Sequence, residues 1–518
     1  MRRNGTTGAP DPSGSPRTTA SPEAVEALEE ALDRCGSPGE PPSENPWKSL
    51  LFDRLCDRAL PATIWKGNIT PAASLWTGSR LWTQAFRSGG LEAGDRLVIA
   101  LPSNTTFVQV LLAAIWQGCT VCLVPPSEDV DAACEELDAR AAVAEEPGPH
   151  VWTPEGYAGP RTTPDALRSV SAGRTPSVRF LMRTSGTTGL ARWVALSDRN
   201  VLSVLRSHLP HFRLNDGRVL SVLPWTHAFG LILDFFPALL AGAEIIRAPE
   251  GGRSPRKLLK LSEAWGSTHL STVPLVIERL LACDGGEALL RNLQGGIVGG
   301  APVSGPMAEK LSETRLRAGY GQTEASPGIA LGEPGHWEAN YLGRPVGCSV
   351  DVAPDGELLF SGDNACVGFW EDRGLHRADP QRTVRTGDLV RRDGDHLFFR
   401  GRKDDAFKLS NGRLVQASAC EAEIKNSFPT LHDALLFTHN GRDLTLAVCP
   451  SQDAPDADRP SDEALLSALG SLAARTDRVV SVSPDEWVST PKGAVDRSAM
   501  IETLTADLPA ASRAARWS

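Results

Sequence analysis

Several segments that would settle the class of this chain at once are missing from it. No run among its 518 residues reads as a clean membrane span: the most apolar stretch, Phe229 to Ile246, is interrupted by Asp234 and Pro237 and reads as a buried helix followed by a strand. Behind Met1-Arg2-Arg3-Asn4-Gly5 there is no apolar h-region, so no secretory signal is expected and the cytoplasm is the expected location. A basic excess is also missing. The formal charge of −10 and a pI near 5.6 oppose a nucleic-acid binder and favour small-molecule chemistry in solution. The ten cysteines have no paired framework, and Cys119 and Cys122 lack the second pair a zinc site needs, so they read as small buried residues of a reduced compartment. Lysine is scarce beside arginine. A lysine at a suggestive position, such as Lys408 or Lys492, therefore carries more information than it would in a lysine-rich chain.

What is present is a long alternation of strand-like and helical patterns, in a chain long enough for two or three domains. Residues 1–45 are rich in Gly, Pro, Ser and Thr around one helical stretch, Pro22 to Leu32, and read as a mobile, disordered tail with one short helix. Then follow a strand over Arg96 to Leu101, a helix over Phe107 to Trp116 and a strand over Thr120 to Val124. The rhythm continues with Arg218 to Leu223, a helix over Leu231 to Ala241, Ala243 to Arg247, a helix over Arg256 to Trp265 and a strand over Ser267 to Val273. This βαβ succession predicts a mainly parallel sheet covered by helices on both faces.

After about residue 345 the texture changes to short strands and tight turns, with Asp393-Gly394 predicting a hairpin between 388–391 and 396–399. From Gly401 a third pattern begins: a polar loop, a helix around Ala419 to Asn426, a hairpin turning at Asn440-Gly441, a helix over Glu463 to Ala474 and a final strand. The expectation is an α/β protein with a large domain over 46–400, including a β-rich subdomain, and a small α+β unit over 401–518.

Within this frame, Thr184-Ser185-Gly186-Thr187-Thr188-Gly189 directly follows the apolar run Val178-Arg179-Phe180-Leu181-Met182. Glycines let backbone N–H groups approach an anion closely, and hydroxyls add short donors, so the run reads as a phosphate-gripping loop. In isolation a Ser/Thr/Gly linker is the alternative. Three further motifs follow: Gly319-Tyr320-Gly321-Gln322-Thr323-Glu324, then Thr386-Gly387-Asp388, then Gly401-Arg402-Lys403-Asp404-Asp405 with Lys408 just after.

The ordered set resembles the adenylate-forming superfamily of acyl-CoA synthetases, peptide-synthetase adenylation domains and luciferases, over about residues 46–500. The resemblance implies αβαβα layers with a mobile C-terminal lid and assigns roles. Thr184, Ser185, Gly186, Thr187, Thr188 and Gly189 would cradle the phosphates of ATP. Thr323 would place a hydroxyl on the α-phosphate and Glu324 a carboxylate on Mg²⁺, a hard cation suited to oxygen ligands. Tyr320 before Gly321 is similar to the adenine-stacking ring, and Gly300-Ala301-Pro302 to the strip on the other side of the base; a plain core role is the alternative for Tyr320. Asp388 resembles the acceptor of both ribose hydroxyls, with a surface turn as the alternative. Arg402 would sit beside ribose and phosphate, Asp404 occupies the hinge position, and Lys408 matches a lysine that approaches the nucleotide. Leu223-Pro224-Trp225-Thr226-His227 is similar to a Leu-Pro-x-x-His segment of CoA ligases, which puts His227 at the wall between ATP and acid. That segment, Phe407-Lys408-Leu409-Ser410 and a late Lys-Gly resemble the feruloyl-CoA-synthetase branch and an aromatic acid substrate.

The chain departs from the pattern in places. The phosphate loop of the family continues Pro-Lys-Gly, where this chain has Ala191-Arg192-Trp193; Arg192 keeps the charge but changes the donor geometry. Arg183, before the loop, is read as a further phosphate donor or as pointing to solvent. Near the end, Thr490-Pro491-Lys492-Gly493-Ala494 puts Ala494 in the column of the catalytic lysine, so Lys492 is the substitute, with a surface lysine as the alternative. Gln416 to Glu421 degrades the Pro-x-Glu-x-Glu element after the hinge. The reading is an ATP- and Mg²⁺-dependent ligase that adenylates a small aromatic carboxylic acid and passes the acyl group to CoA or a carrier-protein thiol. Two rivals stand beside it: adenylation of nitrite for diazotisation of an aromatic amine, and a degenerate nucleotide-binding relative.

Overall fold

The structure, a computed structural model, describes residues 22–36, 40–56, 63–65, 68–155, 159–164, 166–184, 192–410, 414–438, 441–451, 459–489 and 495–506. A nine-stranded sheet forms its first layer of strands. The central strands Phe180–Arg183, Thr120–Leu123, Arg96–Ala100, Ala141–Ala144 and Val151–Pro154 are mutually parallel. Antiparallel strands finish both edges: Trp193–Leu196, Gly368–Glu371 and Gly374–Arg377 on one side, Pro160–Thr162 on the other.

Successive side chains of a strand point to opposite faces, and both faces of this sheet are covered. Leu97 and Ile99 join the main core, whereas Val98 and Ala100 join a second one with Ala133 and Cys134 of the helix Val130–Glu136. On the main-core face lies the helix Thr105–Gln117, buried along Thr105 to Ile115, as a helix apolar on all sides must be. Asn104 caps it by accepting from Phe107 N, worth about 1 kcal/mol. Gly118, at φ +85, ends it.

The second sheet system lies on the far side of this helical layer. Arg218–Ser221, Glu244–Arg247, Thr63–Trp65 and Asn68–Thr70 form four strands; an eight-stranded sheet runs from Ile297–Gly299 and Arg317–Tyr320 to Ser349–Val352. Val219, Ile245 and Ile297 face the main core; Leu220, Ile246 and Val298 face an outer core with the helices Pro255–Trp265, Pro274–Leu281 and Gly305–Ser312. The αβαβα layering is therefore present. No helix among the described residues is long and apolar enough to cross a membrane.

Four expectations change. Residues 267–273 form isolated bridges at His269 and Thr272 rather than a strand. The neighbouring chain leaves the extended region at Gly296, φ +142, where a Cβ would stand 1.9 Å from Leu270 O, so no continuous ladder forms. The expected helix over 231–241 is a π-helix, Phe229–Phe235, leading into the α-helix Phe236–Ala241. Pro237 has no N–H and its ring crowds the carbonyl four residues back, which the wider turn relieves; Phe236 N–H reaches Leu231 O. The hairpin turn at 393–394 is centred on Gly394-Asp395, since Asp393 pairs with His396. Finally, the helix Pro22–Asp33 is no part of a loose tail. Ala24, Leu28 and Ala31 share one face and are buried in the main core against the helix Asp198–His208.

Residues after Gly401 build a smaller α+β body. Its three-stranded sheet, Leu431–Thr438, Leu444–Pro450 and Thr476–Ser481, is buried on both faces, with Ala434 and Leu436 in one core and Leu435 and Phe437 in another. The expected helix at 419–426 spans Ala417–Ser427, and the one at 463–474 is a helix Asp462–Ala468 followed by a 3-10 stretch, Gly470–Arg475. The expected strand after it is Thr476–Ser481, and a further helix, Arg497–Thr505, ends the described chain. Asn440 lies outside the described residues.

Candidate functional site

The strand Val384–Asp393 and its partner His396–Arg402 carry two of the expected site residues. Near the turn the pairing is regular, but Arg400 is an extra residue on the second strand and the register shifts between Leu389 and Val390. Without this bulge Arg402 would face Gly387; with it, Arg402 faces Asp388. Arg402 Nη1 donates to Asp388 Oδ1 at 2.9 Å, and Nη2 stands 3.4 Å from Asp404 Oδ2. Gly387, at φ +73, makes the adjoining turn, and Thr386 Oγ1 accepts from Asp388 N at 3.0 Å.

Tyr320 ends the strand Arg317–Tyr320 in the same sheet, and its hydroxyl donates to Asp388 Oδ2 at 2.6 Å. Burial, then the charge of Asp388, pushes the Tyr320 phenol well above its usual range, so it remains a donor. Burial raises the Asp388 carboxyl, against the opposing effect of Arg402. Burial works against the Arg402 guanidinium, but Asp388 and then Asp404 and Asp405 outweigh it and hold it above its ordinary value. Gly300-Ala301-Pro302 leaves the neighbouring strand Ile297–Gly299, in which Gly299 pairs with Gly319, so this strip starts beside Tyr320.

After Tyr320 the chain folds back tightly. A Cβ on Gly321 would lie 1.4 Å from Pro327 O. Thr323 and Glu324 sit in a 3-10 turn, Thr323–Ala325, closed by Ser326 at φ +58. A non-glycine residue there is strained, and it is held by Ser326 Oγ donating to Asn364 O at 2.9 Å while Asn364 Nδ2 donates to Gly328 O at 2.7 Å. Cys366 N donates to Glu324 O at 2.8 Å, and Val367 N to Ala195 O at 3.0 Å. The segment 366–370 thus ties the Thr323-Glu324 turn to the strand Trp193–Leu196, which follows the run read as a phosphate loop.

That loop is the connection of an antiparallel pair, Phe180–Arg183 with Trp193–Leu196. Thr184 N donates to Arg192 O at 2.8 Å and Arg192 N to Thr184 Oγ1 at 3.1 Å, which closes the neck. Ser185, Gly186, Thr187, Thr188 and Gly189 lie outside the described residues, as does Lys492. Lys408 ends the strand Ala406–Lys408, with its side chain outside them too. Arg192 pairs with Glu371 at 2.8 Å and stacks 3.8 Å from the Phe369 ring centroid. Arg183 is partly exposed, and its Nη1 donates to both oxygens of Glu128 at 3.1 Å. His227 is half-buried and sits in the turn before the π-helix, its N donating to Pro224 O at 3.2 Å.

Two supporting groups were not expected. Glu357, 3% exposed, accepts from Gly387 N at 3.0 Å and from Lys403 Nζ at 3.0 Å, so it props the turn that presents Asp388. Glu421, in the stretch read as degraded, accepts twice from Arg497 Nη1 at 2.7 Å; Arg497 Nε stands 3.6 Å from Asp405, the neighbour of Asp404. Lone glutamates carry no motif.

The carboxylate of Asp388 thus joins the Arg402 guanidinium to the Tyr320 hydroxyl, and the Thr323-Glu324 turn follows Tyr320 in the chain. The family model described as AMP-binding enzyme matches residues 61–370, more than half of the chain, and the chain belongs to that family. Nonribosomal peptide synthetase 8 of Aspergillus fumigatus is 26% identical over 384 residues, 64% of this chain but 4% of that much longer protein. Feruloyl-CoA synthase of an Amycolatopsis species is 26% identical over 377 residues, 65% of this chain and 74% of that protein. ATP-bound MatB from Rhodopseudomonas palustris has the same fold, with a TM-score of 0.74 at 21% identity, covering 89% of this chain and 99% of that one.

Proposed function

We propose that the chain converts a small aromatic carboxylic acid and ATP to the acyl-AMP and pyrophosphate, then passes the acyl group to the thiol of CoA or a carrier protein. The observation that carries this reading is the unit Tyr320–Asp388–Arg402. Asp388 offers two oxygen acceptors to a pair of vicinal hydroxyls, and Arg402 leaves a buried Nε without a partner among the described residues, a donor suited to an anionic ligand. Family membership and the similarity to a feruloyl-CoA synthase support acid activation.

Among the described residues no cluster of three His, Cys, Asp or Glu side chains is placed to hold a metal. One carboxylate, Glu324, is the donor set suited to Mg²⁺ that arrives on phosphate oxygens and keeps its waters. When bound, Mg²⁺ would neutralise charge on the leaving pyrophosphate. Thr323 would donate to the α-phosphate, Thr184 to Gly189 and Arg192 would grip the outer phosphates, and His227 would orient the carboxylate. Arg192 must then exchange Glu371 for phosphate. The small C-terminal body acts as a lid, hinged near Asp404, that delivers Lys492 and Lys408.

An acid-dependent screen for AMP and pyrophosphate release, with products identified by mass, tests this reading. Aromatic acids, fatty acids, and nitrite with an aromatic amine are its arms. A CoA- or carrier-dependent thioester of an aromatic acid is the expected product. AMP release that requires nitrite and an aminophenol would replace the thioester reading with diazotisation, and no release with any acid would leave a nucleotide-binding protein without catalysis.

A further inference from the structure

A cavity lies at the other end of the strands that carry the nucleotide site. Arg218–Ser221, the bridging segment at His269, Ile297–Gly299 and Arg317–Tyr320 run parallel, and Gly300 and Tyr320 mark their C-terminal ends. The cavity opens at their N-terminal ends, among Arg213, His269, Gln294, Arg315 and Arg317. Its volume of about 40 Å³ holds a few water-sized groups or one compact oxyanion.

The charge around it is one-sided. Its lining residues include Arg213, Arg315 and Arg317, His211 and His269, and a single acidic residue, Asp234; Arg213, Arg315 and His211 reach the surface. Among the described residues Arg213 and Arg315 have no ion-pair partner. Arg317 donates to Gly332 O at 3.1 Å and has Glu333 nearby. Burial, then the neighbouring Arg213, lowers the Arg317 guanidinium; burial, then Arg317, lowers His211. Like charges are therefore crowded together in a chain whose net charge is −10.

Two deeply buried polar groups in the wall also lack partners among the described residues: Nε2 of His269, 4% exposed, and Oδ1 of Asp234, 3% exposed. Asp234 Oδ2 accepts from Ser221 Oγ at 2.6 Å, and burial, opposed by Ser221 and then Arg247, raises its carboxyl to about 7, which an adjacent anion would push towards the protonated, donating form. Val219, Leu233 and Ile297 supply an apolar floor.

We infer that this cavity is a second anion site, separate from the nucleotide site, which binds one compact oxyanion, a short monocarboxylate or inorganic phosphate, on the guanidiniums of Arg213, Arg315 and Arg317. Planar guanidiniums match both chemistries through paired N–H donors. Calorimetric titration of the full chain with potassium phosphate and with sodium butyrate, each with and without saturating ATP and Mg²⁺ and against a chloride control, tests it. One equivalent of at least one probe should bind, ATP should not displace it, and the double variant Arg213→Gln, Arg315→Gln should weaken it at least tenfold, while Arg192→Gln leaves it unchanged. Binding of phosphate alone would assign the site to charge, and of butyrate alone to the apolar floor; either supports the site. Arg213→Gln alone, at an exposed position, should weaken binding several-fold and gives the same answer if the double variant does not fold. The inference is overturned if neither probe binds the wild type, if binding survives unchanged in the variants, or if ATP abolishes it.

Discussion

Tyr320 donates its hydroxyl hydrogen to Asp388 at 2.6 Å while Arg402 holds the other oxygen of the same carboxylate at 2.9 Å. The ring read as a partner for the base and the carboxylate read as a partner for the sugar are one hydrogen-bonded unit. A ligand that engages Asp388 must share or displace these donors, so the free site is already oriented before anything binds.

Replacing Tyr320 by Phe keeps the ring and removes that donor. A net hydrogen bond contributes about 1 kcal/mol, so the KM for ATP should rise about fivefold with kcat less affected. Steady-state AMP release checks this. An unchanged KM would show that the hydroxyl does not position Asp388.

Much of this arrangement is legible in the sequence. Arg96–Ala100, Thr105–Gln117 and Thr120–Leu123 follow their expected ranges within a residue or two, because each is an apolar run bounded by a turn or cap. The sequence singles out both Asp388 and Arg402, but not their pairing, because it depends on the extra residue Arg400 shifting a register that alternation alone cannot report. Glu357 escaped because a buried carboxylate looks in sequence like any other strand glutamate until Gly387 N and Lys403 are seen around it. The π-helix was hidden for another reason: Pro237 signals a broken helix, not the form the break takes.

The buried pair Glu421–Arg497 joins the helix Ala417–Ser427 to the helix Arg497–Thr505 within the smaller body. Glu421→Ala should cost about 3 kcal/mol by leaving the guanidinium of Arg497, 13% exposed, without its main partner. Glu421→Gln should cost less, since it retains an acceptor. Urea titration followed by circular dichroism checks both. If the alanine variant is as stable as wild type, this pair does not hold the body together.

Two buried imidazoles predict a loss of stability in acid. His208 and His269 are buried, and burial, opposed only weakly by a backbone contact, lowers each to about 4 from an ordinary 6.5. The unfolded chain therefore takes protons first as the pH falls, so their stabilising effect is complete above about pH 6.5 and is lost on the way down to about 4. At about 1.4 kcal/mol per unit, each contributes at most about 3 kcal/mol to that loss. His208→Gln should flatten the fall in melting temperature between pH 6.5 and 4, whereas an unchanged profile would assign the sensitivity elsewhere.

The departures from the family pattern in the phosphate loop and near the C-terminus lead to the sharpest kinetic contrast. If Glu324 places Mg²⁺, Glu324→Ala removes the only carboxylate of the Thr323–Ala325 turn and should abolish AMP formation; wild-type rates would take Glu324 out of the site. If Lys492 replaces the missing lysine at the Ala494 column, Lys492→Ala should slow AMP formation by about a hundred- to a thousandfold, the effect of losing one positioned transition-state donor. A rate unaffected by Lys492→Ala would mean that another cation serves this chain's adenylation step, with Arg192 and Lys408 as the next substitutions to make. Single-turnover formation of the acyl-AMP, measured apart from thioester release, separates the two residues' effects from any on the second half-reaction. Glu324→Ala should remove the first step, and Lys492→Ala should slow it without weakening ATP binding.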